Sequence, residues 1–532
     1  MCVVGSGPAG AVLGASLAVR GQKVVLLEHG PRLGGLSTRR EVTTELAYGD
    51  LADRVPEHLR QEIVAPSPAS GQPYANAQVG AVGGSSVRWA AFCPRPHPED
   101  LATHTRFGHG RDWPFPYEVL EPWLGRAERA LGVSGEAPTP YGAPRSGPFP
   151  MPRLSRTELE ARILAPAVER LGLTIHGQPV AVASVPAHGR PACERCGVCS
   201  ACPTGARYSA DLVHVPRVET AASGLVLPLI HARRLELDRR GERVLALHAV
   251  QTDRPEDDVI VRAERFVLAA GAIETTRLLL LSRDHPRHGR GVGNHSGQLG
   301  LRFTDHAFLG YQFVVREPVG WGAPVYGVAL DAFRRPAERD RRGAFHFVFV
   351  PGAHERLLVD RVLSAGRIDI GALRAQARGS FVALATAELE GAGGRLALDT
   401  EIRDAFGDPL ARIEIPLTAA DEASFMAVDG FVRRLAGAVH AQTLEPMSVR
   451  GGFVWGAHPM GSCAMASDPE HGVVDPSLQV FGVANLFVVG SAVFPHFGSA
   501  NPTLTVVALA LRLAARLGAE LDDAGARAKV PR

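Results

Sequence analysis

The sequence predicts an α/β protein: a Rossmann-like domain on a parallel sheet, with an interleaved α+β domain built on a mostly antiparallel sheet. Three observations carry that prediction. The chain opens as strand, glycine turn, helix and strand in CVVGSGPAGAVLGASLAVRGQKVVLLEHG. Two further unbroken apolar runs, in RFVLAAGA and VVGSAVFP, each enter a glycine turn far along the chain, as strands buried on both faces do. Between them lie alternating segments, AFHFVFVPG, FVALATAEL and ARIEIPL, followed by the helical pattern ADEASFMAVDGFVRRLAGAV.

The first turn sets the ligand class. Gly5, Gly7 and Gly10 form GxGxxG directly after the opening strand, with Ser6, Pro8 and Ala9 between them. Gly5 permits the sharp turn, Gly7 lets a pyrophosphate approach the backbone, and Gly10 allows close helix–strand contact. The helix start offers free N–H groups and the positive end of its dipole. Glu28 ends the next strand, where a carboxylate accepts both ribose hydroxyls and disfavours a 2′-phosphate, so FAD or NAD is expected rather than NADP. A second glycine-rich stretch, NAQVGAVGGSSVRWAAFCPRP, carries Gly83, Gly84 and Ser85 among Val79, Val82, Val87 and Trp89. These neighbours are too apolar for a solvated loop, and the stretch reads as a buried ligand wall.

Bulk properties exclude several classes. A chain of 532 residues exceeds one simple core, so two domains are expected. With 57 basic against 55 acidic residues the net charge is +2, which gives no basic face and argues against a nucleic-acid partner. The late apolar run TLTVVALALRLAARL carries Arg512 and Arg516 and reads as an amphipathic helix, so no membrane span is expected. The chain enters a strand at once, without a charged-then-apolar leader. A cytoplasmic enzyme is therefore expected, with room for a few residues upstream of the short strand MCVV.

Taken in order, six separated motifs resemble the glucose–methanol–choline (GMC) family of FAD-dependent oxidoreductases. They are VVGSGPAG with Glu28, GAVGGSSVRW, DWPFPYEVLEPWLGRAERALGVSG, FVLAAGAIETTRLLLLS with GQLGLRFTDH, DAFGDPLARIEI, and the long C-terminal stretch from HPMGSCAM to NPTLTVVALALRLA. The resemblance implies FAD, and in the second signature it implies cofactor contact at Ala270 and Gly271. It places Gly490 and Ser491 at the pyrophosphate. An acid usually precedes that glycine; Val489 stands there, so contact rests on backbone groups. Asn501, Pro502 and Thr503 would open a helix whose N–H groups face the flavin pyrimidine oxygens. Some relatives bond the flavin to a histidine in the first signature, whereas SSVRW has Arg88 and no histidine, so noncovalent FAD is expected.

The resemblance also supplies a catalytic pair. Flavin oxidation of an alcohol needs a base for the hydroxyl proton and a polar group to fix its oxygen. His458 in HPMG stands at the base position and Asn501 at the second, the His/Asn version of the pair. Histidine suits the first role by its pKa near 6.5, and a carboxamide donates and accepts without titrating. His496 in FPHFGS is a rival second polar group; His306 in TDH reads as structural or FAD-proximal. The implied function is oxidation of a CH–OH group to a carbonyl, with a sugar, amino sugar or glycoside alcohol as substrate and oxygen or a redox partner as electron acceptor. Alternatives on the same fold are a non-redox lyase or decarboxylase, and a cluster-wired dehydrogenase.

The expected organisation interleaves the parts. Residues 1–150, 203–305 and 451–532 build the FAD domain, 151–202 form a loop or lid with a cysteine-rich segment, and 306–450 form the substrate domain. That cysteine segment, CERCGVCSACPTGARYSA, spaces Cys193, Cys196, Cys199 and Cys202 three residues apart, using four of the chain's seven cysteines. On a helix this pitch drifts round the axis, so the thiols converge only if the loop wraps something. An iron–sulfur cluster, a tetrahedral zinc, disulfides and free thiols all remain open readings, with iron–sulfur ahead of zinc as the metal. A cluster would carry electrons from the flavin to an external acceptor.

Overall fold

The computed structural model describes residues 1–35, 62–65, 74, 78–196, 199, 202–319, 327–335, 337–352, 378–447 and 453–528, with side chains to 520. The opening strand, Cys2–Val4, lies at the centre of a five-stranded sheet. Its neighbours are Val24–Leu27 and Phe266–Leu268, with Gly224–Leu227 and Leu486–Val488 at the two edges, and all four pairings are parallel. Both faces of a parallel sheet are covered, which is why these strands are continuous apolar runs rather than alternating ones. Cys2, Phe266, Val267 and Leu268 are wholly buried. The helix Pro8–Ala18 begins with a proline in its first turn and packs against Thr503–Ala528, which also meets Tyr117–Leu131.

Three glycine turns open at the same edge of this sheet. They follow Val4, Leu268 and Val488, the carboxyl ends of its three adjacent strands. In an open parallel sheet this edge is where ligands bind. The paired strands expected around the turn at 240–241 are present as Ile230–Leu237 and Val244–Gln251, joined by Arg254–Val261 in a separate antiparallel sheet.

The second layer is an antiparallel sheet centred on Ala307–Val314, Ser380–Ala387 and Phe345–Pro351. Short strands from elsewhere in the chain extend it: His176–Gly177 pairs with Val328–Leu330, and Val454–Trp455 pairs with Ala307 and Phe308. Side chains alternate between its faces with the strand period of two. Phe345, Phe347, Phe349, Leu309 and Phe313 point into a core completed by Val428, Phe431 and Leu435 of the helix Ala419–Ala438. That helix starts at a capping box, in which Thr418 and Asp421 satisfy each other's backbone N–H groups. The opposite face carries Phe308, Leu384 and Val350 toward the glycine turns. No helix among the described residues is long and apolar enough to cross a membrane.

Candidate active site

A cavity of about 1070 Å³ lies between the glycine turns and the antiparallel sheet. That exceeds the roughly 300–1,000 Å³ of drug-sized ligand pockets, as a dinucleotide with a substrate requires. Of the cofactor residues expected from sequence, all but Ser6, Gly10 and Gly83 line it. Those three hold the wall from behind. A Cβ at Gly10 would stand 1.9 Å from the Gly5 carbonyl oxygen, so close helix–turn contact excludes any side chain there. Ser6 Oγ donates to Glu28 Oε2 at 2.6 Å and accepts the Gly83 N–H at 3.0 Å.

The cavity wall fits a flavin dinucleotide. Gly84 and Gly7 approach so closely that a Cβ on Gly84 would lie 2.9 Å from Gly7 Cα, which brings two glycine turns together without side chains. The helix Pro8–Ala18 has no side-chain cap, so its first N–H groups face the cavity end. Glu28 Oε2 also accepts from Ser6 N and Oε1 from Gly30 N, each at 3.0 Å. Burial pushes its carboxyl pKa up, against these bonds. Oε2 is filled by the two Ser6 donors, and Oε1 keeps one lone pair for a ribose hydroxyl on the cavity side.

His458 and Asn501 meet on the wall of the same cavity, with Asn501 Nδ2 3.2 Å from His458 Nε2. Asn501 Oδ1 is buried and lacks a hydrogen-bond partner among the described residues, an acceptor left over for a ligand hydroxyl. Phe308 packs edge-on against the His458 ring, with centroids 5.4 Å apart. Burial pushes the His458 pKa well below the ordinary histidine value, and the His306 and His346 rings push it further down. A neutral imidazole is therefore held ready to accept a proton.

Behind the pair lies a group whose role the sequence did not show. Asp305 is fully buried; its Oδ1 accepts the His458 N–H at 2.8 Å and the His306 N–H at 2.6 Å, and its Oδ2 accepts the Tyr74 hydroxyl at 2.9 Å. His306 Nδ1 lies 2.9 Å from His458 Nδ1, and His306 Nε2 lies 2.7 Å from the Gly498 carbonyl oxygen. The signal available in the sequence was the dipeptide Asp305–His306 itself; its partners are far along the chain. His496, the rival second polar group, does not line the cavity, and its Nε2 lies 2.7 Å from Glu388 Oε1.

In the cysteine run, Cys202 is buried, Cys193 and Cys199 are half-buried and Cys196 is exposed; residues 197, 198, 200 and 201 lie outside the described residues. Cys202 Sγ accepts the Arg207 N–H at 3.2 Å. The Arg207 guanidinium donates to the carbonyls of Ser86, Val87 and Trp89 at 2.7–3.0 Å, so the run is joined to the loop that walls the cavity. Among the described residues, the sulfurs form no set of three ligand atoms within 4.8 Å of one another.

The chain is similar to known proteins in sequence and in fold. The chain is 28% identical to the fructose dehydrogenase large subunit of Gluconobacter japonicus over 96% of each chain. It is 29% identical to 6'''-hydroxyparomomycin C oxidase of Streptomyces lividus, over 98% of this chain and 91% of the relative. Among solved structures, pyridoxine 4-oxidase from Mesorbium loti has the same fold, with a TM-score of 0.68 at 18% identity over 97% of this chain and 98% of that one. Residues 3–308 and 391–510 match the two family models described as GMC oxidoreductase. The chain therefore belongs to the GMC oxidoreductase family.

Proposed function

We propose that this protein oxidises the CH–OH group of a sugar, amino sugar or glycoside to a carbonyl, with noncovalent FAD as oxidant and His458 as the base. The observation that carries this reading is the His458–Asn501 pair on the cavity wall, a neutral imidazole beside a carboxamide with an unused acceptor. The bound flavin supplies the hydride acceptor. The residues do the rest. Asn501 turns its Nδ2 N–H from His458 Nε2 to the substrate oxygen, His458 Nε2 accepts the hydroxyl proton, and Phe308, Leu384 and Val350 exclude water from that side. Relatives named as a fructose dehydrogenase and a hydroxyparomomycin oxidase support carbohydrate-like alcohols as the class. Anaerobic mixing with a panel of sugars, amino sugars and glycosides tests it: bleaching of the flavin band by at least one of them is expected. A flavin that no alcohol bleaches would return the protein to the lyase or decarboxylase alternatives.

A second reading concerns where the electrons go. Tetrahedral zinc with bonds near 2.3 Å sets its sulfurs roughly 3.8 Å apart, and the described cysteines do not fit that spacing. The iron–sulfur reading rests on the three-residue spacing of the four cysteines and the Cys-Pro that closes the run, with the Cys202 sulfur already accepting an N–H. Cys193, Cys196, Cys199 and Cys202 would hold it, and the Arg207 link places the run against the cavity loop. That supports a dehydrogenase that passes electrons to an external acceptor. Iron and sulfide analysis of protein purified without oxygen tests it.

A further inference from the structure

The reading of His458 as a base leaves one question that decides whether it works: which ring nitrogen carries the lone pair. A neutral imidazole has one N–H and one bare nitrogen, and only the bare one accepts a proton. On the cavity side stands Nε2, the nitrogen beside Asn501.

The hydrogen bonds behind the ring answer it. The chain of contacts ends at the Gly498 carbonyl, which can only accept, so the hydrogen in the 2.7 Å contact belongs to His306 Nε2. His306 is wholly buried, and burial holds its pKa down to about 4, so at neutral pH it carries one ring hydrogen and no more. Its Nδ1 is then a bare acceptor. The hydrogen in the 2.9 Å contact between the two Nδ1 atoms must come from His458. With Nδ1 protonated, neutral His458 presents a bare Nε2. The far side agrees independently, because an amide Nδ2 at 3.2 Å donates toward a lone pair. A protonated His306 would donate from both nitrogens and force the opposite tautomer.

We propose that His306 is a positioning residue that locks His458 in the tautomer whose bare Nε2 faces the substrate hydroxyl. Asp305 completes the lock by holding the backbone N–H groups of both histidines on one carboxylate oxygen. The proposal deepens the reading of His458 as base and rests on it. When the substrate O–H bond breaks, its proton forms a bond to Nε2, and its electron pair enters the new C=O as the hydride leaves for the flavin. The Nδ1–H stays on His458 and stays bonded to His306. The wire ends in a carbonyl that cannot take a proton onward, so it orients the base without draining it, and the proton leaves through the cavity.

The test uses the flavin-loaded enzyme with ¹⁵N-labelled histidine. His458 in the wild type is expected to show a protonated Nδ1 and a bare Nε2 in long-range ¹H–¹⁵N correlation, assigned by loss of the signals in His458→Asn. The reverse pattern overturns the proposal whatever the activity. Two variants carry it into kinetics. His306→Leu fills space but offers no acceptor, and is expected to lose about 10²-fold in kcat with KM little changed. His306→Asn offers an amide oxygen near the place of Nδ1 and is expected to recover most of that loss. Equal impairment of both variants would mean a packing role only, and unchanged kcat in His306→Leu would also overturn the lock. If His306→Leu does not fold, the wild-type spectrum alone decides. Failure of the base reading itself is separate: it would show as full activity in His458→Ala.

Discussion

Ser6 Oγ donates to Glu28 Oε2 at 2.6 Å and receives the Gly83 N–H at 3.0 Å, so one small hydroxyl ties the first glycine turn to the acid and to the second glycine loop. All of it is buried, and the two loops it joins wall the cofactor cavity. Replacing Ser6 with alanine leaves a buried N–H and a carboxylate lone pair without their partner, a cost of about 1–3 kcal/mol. Ser6→Ala is expected to unfold at lower temperature and to release FAD more readily on dilution, measured by thermal melting and by flavin fluorescence. A variant that melts and holds FAD like the wild type would show that the loops need no such tie.

The close approach of the two loops gives a sharper prediction. Gly84 has φ +55°, and a Cβ on it would stand 2.9 Å from Gly7 Cα, a backbone atom that cannot rotate away. Gly84→Ala is expected to push the loops apart and to yield protein with little bound flavin at purification. Normal flavin content, read from the ratio of visible to 280 nm absorbance, would contradict the cradle.

The sequence made much of this readable, for a physical reason. Strands buried on both faces must be apolar throughout, and a backbone that approaches a phosphate must be glycine, so Cys2–Val4, Gly5, Gly7 and Glu28 announce themselves locally. The alternation in Phe345–Pro351 likewise betrays one face in a core and another over a cavity. His306 carries no such mark. Its part in the site depends on a carbonyl 192 residues later and a ring 152 residues later, and nothing local encodes which nitrogen faces which partner. Ser6 was visible only as a variable position inside GxGxxG; the meaning of its hydroxyl comes from Glu28 and Gly83.

The depressed pKa of His458 predicts the acid limb of the pH profile. The base must be neutral to accept a proton, and burial, His306 and His346 all disfavour its charged form. Protonation therefore sets in below the ordinary histidine value near 6.5. The kcat/KM of flavin reduction is expected to stay level from neutral pH down through about 6.5 and to fall only in more acidic buffer. A limb centred near or above that value would mean that the ring is not held neutral in this way.

Asp305 gives a separate pH signature in stability. Burial raises its carboxyl to about 7, against the bonds from His458, Tyr74 and His306. Unfolded, it titrates near 3.9. Between those values the folded state holds the extra proton, so this group stabilises the fold most at the acid end, and its contribution falls as pH rises toward 7. Asparagine cannot titrate. The melting temperature of wild type minus that of Asp305→Asn is therefore expected to shrink between about pH 4 and 7. A difference that grows over this range would contradict the raised carboxyl.

The cysteine run is testable without reference to turnover. On the cluster reading, wild-type protein is expected to carry iron and Cys202→Ser to lose it while keeping FAD, as read by metal analysis and the flavin spectrum. Unaltered metal content in that variant, or iron-free wild type, would remove the cluster and leave a flavin-only enzyme.

The most direct test of the central claim is the rate of flavin reduction by a saturating alcohol, measured anaerobically in a stopped-flow instrument for wild type and His458→Ala. Both proteins should bind FAD, because His458 contacts the cavity from the side of Asn501 and not through the glycine turns. The variant is predicted to reduce its flavin about 10²- to 10⁴-fold more slowly, the usual worth of a positioned base. Reduction at the wild-type rate in a flavin-loaded His458→Ala would contradict the account.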